Sequence, residues 1–341
     1  MNYYLFLFLA LSIFIVNIFL IKKNYLPSLS GDNHQKLTFN NSIPLSGGVY
    51  LIIIFFVLFY SQIGLLSFSI FSMFLIGLLS DVKIINSAKL RIILQFIIIF
   101  SVIIFLDLKI LSTRMNLIDG LLETNFINYL FVSFCILIIV NGSNFIDGLN
   151  TLLIGYYLII TVIIYKINFL SVIPIENGLV LSWISLMLFI YLLNLSNRLF
   201  LGDSGAYFLG FSYAILLIMI HNKNLSVSPF FIILLLWYPG FEILFSIIRK
   251  NSSKISPLSP DTKHLHQIIF IYLNKNLLKR KIFANIISAN IINLYNMIIF
   301  YIAIKDISKT NLQVTLIMIN IFIYIIVYFT LIKNLRLSRN S

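Results

Sequence analysis

NGSNFIDGLN, residues 141–150, closes an apolar run that starts near residue 127 and is long enough to cross a bilayer. Hydrocarbon cannot solvate the side chains of Asn141, Asn144 and Asp147, so this end of the run needs water, a ligand or a metal. Spacing by threes sets the three residues on roughly one face of a helix, and Gly148 lets the backbone turn or something approach closely. A polar helix end meeting lipid headgroups is the competing reading of the same stretch.

The remainder of the chain is equally apolar. Of its 341 residues, 60% are hydrophobic and 10% charged, against about half and about a quarter in soluble domains. That composition excludes a soluble globular protein and predicts an all-α, polytopic integral membrane protein with one domain over residues 1–341. Windows of about 20 apolar residues predict eleven spans, near 3–21, 45–66, 67–80, 90–106, 127–146, 149–165, 178–196, 205–220, 228–248, 282–304 and 312–332. The first runs into Lys22 and Lys23 without a small-residue cleavage site and reads as a retained helix. No fixed-period repeat interrupts the pattern, and the single cysteine, Cys135, excludes an internal disulfide.

Charge sets the orientation. The formal net charge is +13, and most Lys and Arg residues fall on one side if the N-terminus is outside and the C-terminus inside. Only Lys109, Arg114, Lys166, Lys223, Lys305 and Lys309 are left on the outer side, together with a loop at 107–126 that carries Asp107, Asp119 and Glu123. This is the bias of the positive-inside rule.

With that topology, every segment rich in polar and turn residues falls on the inner side: SIPLSGGVY (42–50), LLSDVKIINSAKLR (78–91), NGSNFIDGLN, NRLFLGDSGAYFLG (197–210) and SPLSPDTKHLHQ (256–267). They supply three candidate catalytic carboxylates, Asp81, Asp147 and Asp203, which would repel one another unless a cation lay between them. An oxygen-only set favours Mg²⁺, with Mn²⁺ as the alternative, and Asp203 and Asp147 are the candidate ligands. In FLGDSG the glycines flanking Asp203 also suit backbone approach to a metal or a phosphate at the positive end of the following helix. Candidate substrate contacts are Asn141, Asn144, Lys89, Lys263, His264 and His266, the last three in an inner loop at 249–281. The plainer readings are helix-capping carboxylates, a solvated loop with idle histidines, and Lys89, Arg91 and Arg198 as interface anchors.

Taken in order over about residues 44–270, LLSDVK, NGSNFIDGLN, FLGDSGAYFLG and SPDTKHLHQ resemble the motifs of the polyprenyl-phosphate N-acetylhexosamine-1-phosphate transferases of the glycosyltransferase 4 type. Eleven spans with an outside N-terminus are closer to the GlcNAc-1-phosphate transferase branch than to the phospho-MurNAc-pentapeptide translocases. The resemblance implies transfer of a sugar 1-phosphate from a UDP-N-acetylhexosamine to undecaprenyl phosphate or a similar lipid, with UMP released, as the first step of an envelope glycan such as O-antigen. It implies a bacterial inner-membrane enzyme with its site facing the cytoplasm, no nucleic-acid partner, and room for a homodimer. Asp81, Asp147 and Asp203 would carry catalysis, Asn141 and Asn144 would orient ligands, and Lys263, His264 and His266 would grip the diphosphate. Three departures stand out. Ser80-Asp81-Val82 replaces the family's paired Asp, Asn150 stands where a second Asp of the DGxDG segment is usual, and Gln267 takes the third His position. A phosphate monoester has its second pKa near about 6, so a lost base predicts reduced and not abolished transfer. A transporter for a polyisoprenoid or anionic solute, or an impaired lipid-carrier-binding relative, are the other classes these features admit.

Overall fold

The computed structural model of the protein describes residues 3–26, 43–64, 66–168, 176–254, 256, 262–278 and 280–340. Lys36 and residues 257–261 of the segment before His264 lie outside them. All regular elements among the described residues are helices: α1 (Tyr3–Lys23), α2 (Gly47–Ile63), α3 (Leu66–Asp81), α4 (Ala88–Phe105), α5 (Asn116–Leu122), α6 (Asn125–Ile146), α7 (Leu152–Lys166), α8 (Asn177–Leu195), α9 (Gly202–Lys223), α10 (Pro229–Leu235), α11 (Trp237–Ser252), α12 (Leu265–Asn276), α13 (Lys281–Ala303) and α14 (Thr310–Asn340).

Six of these, α4, α6, α8, α9, α13 and α14, are long and apolar enough to cross a bilayer; the broken pair α10 and α11 would make a seventh, and α2, α3 and α7 are shorter apolar helices. The eleven predicted spans therefore require α1, α2, α3 and α7 to count as crossings.

α9 is the central post. Of its most apolar 18-residue window 78% is buried, against 22% for α4 and α14, and it packs against α3, α6 and α2. Aromatic edges fill the space beside it: Phe55 meets Phe208 at 5.2 Å and Trp183 at 5.7 Å between ring centroids.

Two sequence expectations change here. The eighth span, expected over 205–220, is a 22-residue helix that already includes Gly202 and Asp203. The ninth, expected as one helix over 228–248, bends by 74° between α10 and α11. The cause is Pro239, whose ring lacks an N–H and would collide with the carbonyl four residues earlier, that of Leu235. The freed Leu235 carbonyl accepts a hydrogen bond from Tyr156 Oη at 2.9 Å. The bend lays α11 against α6 at Gly142, where a side chain would run into the Pro239 backbone.

The loop at 107–126, expected on the outer side, holds the short helix α5, and Arg114 clasps it to its neighbours by donating to the carbonyls of Ser308 at 2.6 Å, Leu225 at 2.9 Å and Ser226 at 2.8 Å. This clasp lies at the end of α9 opposite Asp203.

Candidate active site

α3 and α6 both end level with the first turn of α9, which is what brings Asp81, Asp147 and Asp203 together. Gly202 opens that turn at φ +73°, and a Cβ on it would lie 2.6 Å from Asp81 Oδ2. Few residues other than glycine adopt that backbone. Asp81 Oδ1 accepts from the Asp203 N–H at 2.8 Å and Oδ2 from the Ser204 N–H at 3.1 Å, while the Gly202 backbone hydrogen-bonds Asp147.

Carboxylates from two other helix ends thus satisfy three amides that the start of α9 would leave open. The expectation that this positive helix end receives a phosphate is corrected: Asp81 and Asp147 occupy it. For Asp81 the capping reading describes the geometry, except that it caps a neighbouring helix and not its own.

The Asp203 carboxylate points away from that turn, into a polar clamp. Its Oδ2 accepts from Ser80 Oγ at 2.6 Å and from an Arg91 guanidinium nitrogen at 2.6 Å, and its Oδ1 accepts from Asn144 Nδ2 at 2.5 Å. The same Arg91 nitrogen donates to Ser80 Oγ at 2.6 Å. The Arg91 and Asp203 side chains are 24% and 25% exposed, so solvent reaches the clamp. Among the described residues neither Asp81 nor Asp147 has a cationic partner. Burial, then repulsion from Asp203 and Asp81, pushes the Asp147 carboxyl well above the usual carboxylate range.

A second cluster lies beside the first. His264 caps α12, its Nδ1 is 3.0 Å from Glu242 Oε1, and the same oxygen accepts the Leu265 N–H at 3.2 Å. Gln267 completes a capping box by accepting the His264 N–H at 3.3 Å. The segment expected as an inner loop at 249–281 is therefore helical from Leu265. His266 stacks on His264 at 5.7 Å between centroids; it is fully buried, neither ring nitrogen has a partner, and burial pushes its pKa down to about 3.

NGSNFIDGLN joins the two clusters. Asn144 holds Asp203, the Phe145 ring lies 4.9 Å from that of His264, and Gly148 faces His266, whose Nε2 would be 2.7 Å from an added Cβ.

The other predicted residues are placed as follows. Asn141 donates to Gln95 Oε1 at 2.8 Å and to the Leu137 carbonyl at 2.9 Å, facing α4 and not Asp203. Lys89 and Lys263 are exposed; Lys89 is two positions from Arg91 on α4, hence on another face. Asn150 is structural, since its Nδ2 donates to the Asn194 carbonyl at 3.0 Å and to Asn197, and its N–H to Asn285 Oδ1 at 2.9 Å. Sequence reasoning missed Glu242, took Arg91 for an interface anchor, and read Ser80 or Val82 as the place of a lost carboxylate. The available signal for Glu242 was a lone acid inside an apolar helix, expensive enough in a membrane to need a function.

Among the described residues no three His, Cys, Asp or Glu side chains form a metal cage of their own. The donor set nonetheless fits a hard cation: three carboxylates, all oxygen, converge, and among the described residues the guanidinium of Arg91 is the cation paired with them. Mg²⁺ commonly takes one or two carboxylates and completes its shell with water and substrate phosphate.

Residues 63–221 match the glycosyl transferase family 4 model, a range that takes in all three aspartates and stops before Glu242 and His264. An undecaprenyl-phosphate alpha-N-acetylglucosaminyl 1-phosphate transferase of Thermotoga maritima is 29% identical over 58% of this chain and 58% of its own length. A probable undecaprenyl-phosphate N-acetylglucosaminyl 1-phosphate transferase of Bacillus subtilis is 28% identical over 59% of this chain and 56% of its own. A phospho-N-acetylmuramoyl-pentapeptide-transferase of Dictyoglomus thermophilum is 31% identical over 49% and 56%. The chain thus spans a little over half the length of each of these relatives.

Proposed function

We propose that this chain, whose residues 63–221 match the glycosyl transferase family 4 model, transfers an N-acetylhexosamine 1-phosphate from a UDP-sugar to a polyprenyl phosphate. An oxygen of the lipid phosphate attacks the β-phosphorus of the UDP-sugar. The bond from that phosphorus to the bridging oxygen breaks, giving polyprenyl-diphosphate-sugar and UMP. The observation that carries this reading is the convergence of Asp81, Asp147 and Asp203 on one helical turn, with the Arg91 guanidinium paired to Asp203.

Asp203 and Asp147 would hold Mg²⁺ or Mn²⁺, which when bound neutralises diphosphate charge. Asp81 fixes the turn that aims Asp203. Asn144 and Ser80 orient the Asp203 carboxylate, and Arg91 keeps a positive charge beside it. Glu242 positions His264, on which His266 stacks, next to this group, on the side where Lys263 adds positive charge for the nucleotide diphosphate. Phosphoryl transfer depends mainly on such positioning and electrostatics. The lipid phosphate is largely dianionic at neutral pH, so attack does not require the carboxylate missing beside Asp81, at position 80 or 82.

The same reading places eleven spans in a bacterial inner membrane, the N-terminus outside and the site toward the cytoplasm, as the distribution of Lys and Arg favours. Envelope glycan initiation, O-antigen among its forms, is the role this product suits. N-acetylglucosamine, named for the relatives, is the first sugar to test. Purified protein given undecaprenyl phosphate, Mg²⁺ and a panel of radiolabelled UDP-sugars should convert at least one to an organic-soluble product. A transporter or a lipid-binding scaffold would convert none.

A further inference from the structure

We propose that the end of α1 beside the α8–α9 turn is a binding groove for the anionic headgroup of a bilayer phospholipid. α1 is apolar from Tyr3 to Ile21 except for Ser12 and Asn17. Asn17 is 2% exposed. Its Nδ2 donates to the Arg198 carbonyl at 2.7 Å and its Oδ1 accepts from Ser46 Oγ at 2.9 Å. A polar residue buried in a membrane helix and bonded at both ends fixes what it touches, here α1 to the turn that leads into Asp203.

Next to this pin lies a groove of about 230 Å³ lined by Phe14, Asn17, Ile18, Ile21, Lys22 and Arg198. The Arg198 guanidinium sits 5.6 Å from the centre of the Phe14 ring, and Lys22 stands in the last turn of α1. Neither cation has a carboxylate partner among the described residues. The groove is therefore lined by two positive charges together with the apolar side chains of Phe14, Ile18 and Ile21.

Magnitudes select the occupant. Pockets that enclose drug-sized molecules run from about 300 Å³ upward, so this one is too small and too apolar for a nucleotide-sugar. It suits a phosphate headgroup with the first part of an acyl chain laid along the roughly 12 Å of α1 between Phe14 and Lys22. Basic pockets between membrane helices recognise anionic headgroups in this way. Lys22 and Arg198 acting only as interface anchors would show no preference among headgroups. The proposal stands apart from the transfer reading, since no residue of the groove belongs to the carboxylate or histidine clusters.

Native mass spectrometry of the purified full-length protein, delipidated and reloaded with phosphatidylglycerol or phosphatidylcholine, tests it. The protein should retain phosphatidylglycerol in preference. Lys22→Gln with Arg198→Gln should weaken that binding roughly 25-fold, at about 1 kcal/mol for each basic side chain. Ile18→Trp, which fills the groove without changing charge, should also abolish retention, and carries the test alone if the double variant does not fold. Equal retention of both lipids, unchanged binding in the variants, or displacement of phosphatidylglycerol by equimolar polyprenyl phosphate would each overturn the proposal.

Discussion

Arg91 and Lys89 stand two residues apart on α4, and only Arg91 reaches Asp203. A hydrogen bond to a charged group is worth about 1.5–3 kcal/mol, which converts to roughly ten- to hundredfold in rate if the clamp aims Asp203 for transfer. Arg91→Ala should therefore lower UMP release by about that factor, while Lys89→Ala leaves it within about twofold; equal losses in steady-state assays would contradict the placement. His266 gives a pH prediction of its own. Its folded pKa of about 3 lies below the ordinary 6.5, so its contribution to stability is complete above pH 6.5 and is lost as pH falls toward 3. At pH 5 the loss is about 2 kcal/mol. Thermal unfolding in detergent should fall more between pH 7 and pH 5 for the native chain than for His266→Gln. Parallel curves would show that His266 is not buried neutral. The aspartates were legible as residues because carboxylates ending apolar runs are costly in a membrane. Glu242 carried the same signal, a lone acid in an apolar run, but its pairing was not legible, because its partners His264 and Leu265 lie more than twenty residues downstream.

At the scale of elements, the contacts of α6 with α9 and α11 decide where the site is. Gly142 lets α6 approach the backbone of Pro239, so Gly142→Val should overpack that crossing and cost about 1–3 kcal/mol, seen as a lowered unfolding temperature. Tyr156→Phe should cost about 1–3 kcal/mol as well, by stranding the Leu235 carbonyl freed at the helix break. An unchanged unfolding temperature in either variant would remove that contact from the account. The break was legible in WYPG at 237–240, since Pro239 cannot continue the helix, but hydropathy averaged over a window reads α10 and α11 as one run. The start of α9 was misjudged for a related reason: Gly202 and Asp203 look like loop residues until a left-handed glycine and two outside carboxylates cap the helix. Such capping by distant chain segments carries no local signal.

Over the whole molecule, the expectation of an all-helical membrane bundle follows from composition alone and matches the helices described. The convergence of Asp81, Asp147 and Asp203 followed from counting which loops share a side, and the helix ends meet as that count requires. What could not be read was how the departures from the family motifs are absorbed. Asn150 donates to Asn194 and Asn197, ties α7 to the α8–α9 turn and through Asn285 to α13. An Asp there would lose the donor, so Asn150→Asp should destabilise the fold by about 1–3 kcal/mol; equal stability by thermal unfolding would count against that role. The account as a whole rests on Asp203 being the acid around which transfer is organised. Its most direct test is Mg²⁺-dependent UMP release from a UDP-N-acetylhexosamine and undecaprenyl phosphate by purified native and Asp203→Asn protein of matched thermal stability. The account predicts release by the native chain and at least about a hundredfold less by the variant; release by the variant at the native rate would contradict it.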